Sequence, residues 1–116
     1  VKSGNTENLS SIIDSDCIFY SPVVFTPQKG KELTLKYLSA AALVFGDDSF
    51  KYIKEVINEK NACLEFELKL NGIEINGVDL ISWNDKNKIS EFKVLIRPLK
   101  GVQLIHELMG GTLEQI

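Results

Sequence analysis

Asn71-Gly72 stands between two runs in which apolar and polar residues alternate, and this dipeptide constrains the fold more than any other feature of the chain. Both central positions of a type I′ turn need φ > 0, which Asn and Gly tolerate, so the pair predicts a tight antiparallel hairpin. The run before it, Cys63 to Leu70, sets Leu64, Phe66, Leu68 and Leu70 against Glu65, Glu67 and Lys69, one dry face and one wet. After it come Ile73 to Trp83, the turn Asn84-Asp85-Lys86-Asn87, and Ile89 to Arg97, with Phe92, Val94 and Ile96 opposite Glu91, Lys93 and Arg97. Asn61 to Pro98 therefore reads as an antiparallel meander, stopped by Pro98. Asn76-Gly77 inside the middle strand predicts a bulge. In that strand Asp79 lies between Gly77-Val78 and Leu80-Ile81, and a carboxylate in such apolar company needs a reason.

The remainder of the chain supplies helices. Leu9, Ile12 and Ile13 make one apolar stripe over about two turns, a length that only packing can hold, and Asp14-Ser15-Asp16 is expected to end it. Cys17 to Tyr20 reads as a short strand closed by Ser21-Pro22. The loop Ser21 to Gly30 is apolar at Val23, Val24 and Phe25, so it either caps the core or lines the mouth of a cavity. Lys31 to Phe45 is the clearest helix, with Leu35, Leu38, Ala42 and Phe45 at helical spacing. Asp47-Asp48 is a turn. Phe50 to Ile57 is strand-like, but neither alternate set (Phe50, Tyr52, Lys54, Val56 or Lys51, Ile53, Glu55, Ile57) is cleanly apolar. Val102 to Met109 is helical in pattern, with Gly110-Gly111 as its expected end. Helix, short strand, helix, four strands and a helix make an α+β order, with helices covering one face of a curved antiparallel sheet.

Length and charge narrow the function. A chain of 116 residues is expected to form one domain, residues 1–116, with a core that needs no staples. Twelve Lys and the single Arg97 are scattered among acids at a net charge of −3, which argues against nucleic acid as a partner. No apolar run approaches the ~18 residues of a membrane span. Val1 to Asn5 has no signal-peptide pattern and no initiator Met. Cys17 and Cys63 lack metal or redox spacing and read as small hydrophobes of a reducing compartment, so a cytoplasmic protein is expected, without cofactor or metal.

Three segments, Asp16-Cys17-Ile18-Phe19-Tyr20-Ser21-Pro22, Gly30-Lys31-Glu32 opening a helix, and Gly77-Val78-Asp79 followed by Asn84 to Ile89, stand in an order that resembles the nuclear transport factor 2-like superfamily. Within it the chain is most similar to the SnoaL-like and ketosteroid-isomerase-like proteins. The resemblance implies a cone-shaped, strongly curved antiparallel sheet packed on helices (the cystatin-like arrangement), a mostly apolar pocket at the open end, and a homodimer through the outer face of the sheet. It also places Asp79 where ketosteroid isomerases keep a protonated aspartic acid that donates to an oxyanion. Ser21 falls where those enzymes carry their catalytic base, and an unactivated hydroxyl is no base near neutral pH. Arg97 shares strand parity with Glu91 and Lys93, so the Arg–Asp constellation of the epoxide-hydrolase-like members is not expected.

The implied pocket takes Asp79 as acid or oxyanion donor, with Tyr20, Phe25, Tyr37, Leu64, Phe66, Trp83, Phe92 and Val94 as ligand-binding residues. Burial raises a carboxyl pKa, which suits Asp79 to proton transfer; the plainer reading is an Asp tied to backbone at a bulge. Tyr20 and Tyr37 serve equally well as core aromatics with a polar tip, and Trp83 as pocket wall or dimer contact. His106, the sole histidine, reads as edging the core of the last helix. Two functions stay open at this stage. One is proton-transfer chemistry (isomerisation, dehydration or cyclisation) on a compact apolar carbonyl or hydroxyl compound. The other is a non-catalytic ligand-binding or dimerisation module.

Overall fold

A computed structural model describes residues 6–46 and 48–115. The opening stretch Val1 to Asn5 and Asp47 of the expected Asp47-Asp48 turn lie outside the described residues. The elements are α1 (Thr6–Ile12), β1 (Ile13–Tyr20), β2 (Gln28–Lys29), α2 (Lys31–Phe45), β3 (Lys51–Ile57), β4 (Asn61–Leu70), β5 (Ile73–Trp83), β6 (Ile89–Arg97) and α3 (Leu99–Gln115). The strands form one open six-stranded sheet in the order β2-β1-β6-β5-β4-β3. The α+β class and the curved sheet are as the sequence implies. All pairings but one are antiparallel; β1 runs parallel to β6, with Phe19 opposite Phe92 and Tyr20 opposite Lys93. Among the described residues no helix is long and apolar enough to cross a membrane.

The meander forms as the alternation requires. Asn71 and Gly72 take φ of 50° and 79°, the left-handed pair of a type I′ turn, and β4 and β5 stay in continuous register from Leu70↔Ile73 to Asn61↔Ser82. The bulge expected at Asn76-Gly77 is not there: Asn76 opposes Glu67 and Arg97, and Gly77 opposes Phe66 and Ile96. Gly77 has a different cause. A Cβ on it would sit 2.4 Å from the Phe66 ring and 2.6 Å from the Leu95 carbonyl oxygen, so the strand is bare there to let an aromatic ring lie across it.

The concave face packs on α2 and α3. Leu38, Ala40 and Val44 of α2 share one buried core with Phe19, Phe66, Ile75, Phe92 and Val94 of the sheet and Ile105 and Met109 of α3. Three expected boundaries moved. β1 begins at Ile13, because Asp14-Ser15-Asp16 is taken up as an irregularity between the Ile13↔Ile89 and Ile18↔Glu91 pairs, with Asp16 N–H donating to Asp14 Oδ2 at 2.9 Å. α3 starts directly after Pro98, whose carbonyl accepts from Gly101 and Val102. It also runs through Gly110-Gly111, where nothing demands a left-handed backbone and Leu113 still packs on the core.

Candidate functional site

Asp79 is centred in β5, where Leu64 of β4 and Val94 of β6 lie opposite it. Opposed residues share a face, so Asp79 falls on the concave side with Ile75 and Gly77, and it is only 6% exposed. One buried charge among these hydrophobes is accounted for by a neighbour that the meander alone does not supply. The Tyr52 hydroxyl, on β3, donates to Asp79 Oδ2 at 3.2 Å. The plainer reading, a carboxylate tied to backbone at a bulge, is therefore not what the structure holds.

Burial pushes the Asp79 carboxyl up to about 6, since a charge in apolar surroundings loses its hydration; the Tyr52 hydrogen bond opposes the shift by stabilising the ionised form. Tyr52 is raised in turn, first by its own burial and then by the adjacent carboxylate, so it stays a neutral donor. The carboxyl that burial was expected to raise is thus brought up towards physiological pH. Both forms are within reach, which suits a residue that shuttles protons.

Asp79 borders a small cavity of about 30 Å³ with Leu38, Ala41, Phe45, Phe50, Phe66, Phe92 and Val94. Its walls are almost wholly aromatic and aliphatic: Phe50 stacks on Phe66 at 5.2 Å between centroids, and Phe45 and Tyr52 meet that pair edge-on. The volume is about that of one water in the liquid.

Of the expected ligand-binding residues, Phe66, Phe92 and Val94 line this cavity, and Leu64 joins Asp79 on its face. The others are elsewhere. Tyr20 is opposite Lys93 on the convex face, with the Lys93 ammonium 4.8 Å from its ring centroid; the inward residue of that strand is Phe19. Tyr37 stacks on Phe19 at 5.2 Å, in the layer between α2 and β1. Phe25 is 101% exposed at the tip of the 21–27 loop, which flanks a cleft of about 580 Å³ with Tyr20, Lys93 and Leu95, not the cavity of Asp79. Trp83 ends β5, where its N–H donates to the Lys60 carbonyl, and His106 is exposed. Arg97 is on the wet face, donating through Nε to Asn76 Oδ1 at 2.9 Å.

The residues that sequence reasoning missed are Tyr52, Phe50, Phe45, Leu38 and Ala41. Tyr52 was hidden by a register shift: Tyr52 opposes Phe66, yet Lys54 opposes Glu65, so Ile53 is an extra residue and the parity of β3 switches between them. The unclean faces of 50–57 were the visible trace of that bulge. Among the described residues no group of His, Cys, Asp and Glu could hold a metal ion, and the two cysteines are free.

No protein-family model and no curated protein matches the chain. Solved structures do. A steroid delta-isomerase from Pseudomonas aeruginosa aligns at TM-score 0.90 and 28% identity, over 97% of this chain and 82% of its own. An uncharacterised bacterial protein with a cystatin-like fold from Silicibacter pomeroyi aligns at TM-score 0.87 and 26% identity, over 95% and 77%. A SnoaL-like polyketide cyclase from Jannaschia, at TM-score 0.69 and 11% identity over 87% and 77%, shares the fold alone. The fold is that of the nuclear transport factor 2-like superfamily.

Proposed function

We propose that this chain binds a compact, largely apolar carbonyl or hydroxyl compound and moves a proton on it, with Asp79 as the titrating group and Tyr52 as its hydrogen-bond partner. The observation that carries this is the 3.2 Å bond between a phenol and a carboxyl displaced to about 6, beside an apolar cavity. A second titratable group in reach of Asp79 is what distinguishes a proton-transfer site from a carboxylate held for structure. Isomerisation, dehydration and cyclisation each move a proton that a carboxyl so placed can take up or give, and the likeness to a steroid delta-isomerase at 28% identity points the same way. The chain acts as one domain. Its convex face carries Val56, Cys63, Val78, Leu80 and Leu95 between polar rows, which fits a homodimer through that face.

One observation favours the competing reading, a module without chemistry: the cavity at Asp79 has room for about one water. A thermal-shift screen of wild type and Asp79→Asn against apolar ketones, lactones, hydroxy acids and epoxides separates the two. A ligand at about 100 times its Kd adds roughly 2.7 kcal/mol, a rise on the order of 10 °C for a domain of this size. A hit weakened by Asp79→Asn supports the site, and its chemistry selects the reaction to assay. No hit, with Asp79→Asn much less stable than wild type, returns Asp79 to a structural role.

A further inference from the structure

The bulge in β3 does more than hide Tyr52. Strict alternation from Tyr52 would carry Lys54 onto the concave face and Glu55 onto the convex one. With Ile53 as the extra residue, Lys54 instead opposes Glu65 on the wet face, and Glu55 opposes Leu64. Leu64 opposes Asp79, so Glu55, Leu64 and Asp79 form one cross-strand row on the concave side. A cation has been exchanged for a carboxylate on the face that holds the buried acid. Bulges commonly re-aim side chains beside functional sites, and this one changes the sign of the charge there.

We propose that Glu55, turned inward by this bulge, is the second proton-transfer residue of the site, which rests on the proton-transfer reading of Asp79. Glu55 and Asp79 lie two strand spacings apart, about 10 Å between backbones. That separation matches the width of a ring-sized substrate laid over Leu64 outside the small cavity, with one carboxylate at each side and the Tyr52 hydroxyl next to Asp79. The two carboxylates also differ in setting: Asp79 is buried and Glu55 exposed. Among the described residues Glu55 has no ion pair, whereas Lys51 and Lys60 each have one.

Separated acid and base suit a β-hydroxy carbonyl compound, whose α C–H is acidified by the carbonyl. The Glu55 carboxylate takes the α proton, the C–H electron pair becomes the new C=C bond, and the C–O bond breaks. The departing hydroxide takes the proton of the Asp79 acid and leaves as water. The products are an enone and water; Glu55 ends protonated and Asp79 ionised, and exchange with solvent resets both. The narrower half-reaction, removal of an α proton, requires only the base.

The test uses two probes on the full chain: α-proton exchange of cyclohexanone in heavy water, followed by NMR, and loss of water from a cyclic β-hydroxy ketone, followed by enone absorbance. Wild type is expected to accelerate both. Glu55→Gln, an exposed isosteric change, should slow them about a hundredfold or more, with an unchanged melting curve and loss of one limb of the pH–rate profile. Glu55→Asp should recover part of the rate. Glu55→Gln combined with Lys54→Glu should recover none, because Lys54 is on the other face. Wild-type rates in Glu55→Gln alongside an inactive Asp79→Asn overturn the role of Glu55 and leave that of Asp79 standing. No acceleration by wild type in either probe removes both.

Discussion

The two faces of this sheet are built from alternate residues of the same four strands, and they treat charge in opposite ways. On the convex face, Lys51, Glu67, Asn76 and Arg97 oppose one another in a single row across β3 to β6. Lys51 reaches Glu67 at 3.5 Å, and Asn76 links Arg97 to Glu65. Water screens all of these, so each is worth little. On the concave face Asp79, the one buried carboxyl among the described residues, has a phenol for its partner. The lesson is that charge count says nothing about reactivity in this fold. The surface row has four polar groups and leaves the fold much as it would be without them; one carboxyl a strand's thickness away has its proton affinity reset by burial.

Disrupting the ring that lies over Gly77 and borders the cavity of Asp79 should give the largest effect. Phe66→Ala empties the centre of the Phe45, Phe50 and Tyr52 cluster and is expected to cost about 3–5 kcal/mol in urea unfolding. Gly77→Ala attacks the same contact from below and should cost about 1–3 kcal/mol, since neither the ring nor the Leu95 carbonyl can retreat freely. A cost below 0.5 kcal/mol or so for either would mean the ring does not rest on the strand.

Asp79 should act on stability with an unusual sign. Its folded pKa of about 6 lies above the ordinary value of 3.8, so the folded state binds the proton more tightly than the unfolded chain. The stabilisation from this group is full in acid, below the unfolded value, and is lost as pH rises through the folded value near 6. The swing is on the order of 2–3 kcal/mol. Asp79→Asn should therefore be more stable than wild type at pH 8 and lack this slope between about pH 4 and 6. A less stable Asn variant at pH 8 would instead show that the carboxylate holds the fold together. Next in size, Tyr52→Phe removes the donor that favours the ionised form, so the Asp79 pKa should rise further, read by carboxyl carbon NMR. A fall would mean that the hydrogen bond is not made in solution. The smallest effect belongs to the convex face: a double-mutant cycle on Lys51 and Glu67, both well exposed, should give at most about 0.5 kcal/mol, vanishing in high salt.

Much of this was legible in the residues. Period-two alternation in 63–70 and 89–97, the Asn71-Gly72 turn and the helical stripe of 31–45 each depend only on neighbours in the chain, so they could be read directly and they stand in the structure. Asp79 was legible for the same reason: a carboxylate inside an apolar run is anomalous wherever the run folds. The partner of that carboxylate was not. Tyr52 and Glu55 share the concave face only because Ile53 between them is bulged out, and a bulge is settled by pairing with a strand whose own position is set by the rest of the sheet. The inward turn of Phe19 in place of Tyr20 was likewise decided by a parallel pairing with β6 across more than seventy residues of chain. Local pattern specified the strands and the acid. Which side chains share the acid's face was decided by register, a long-range property that a one-residue slip inverts.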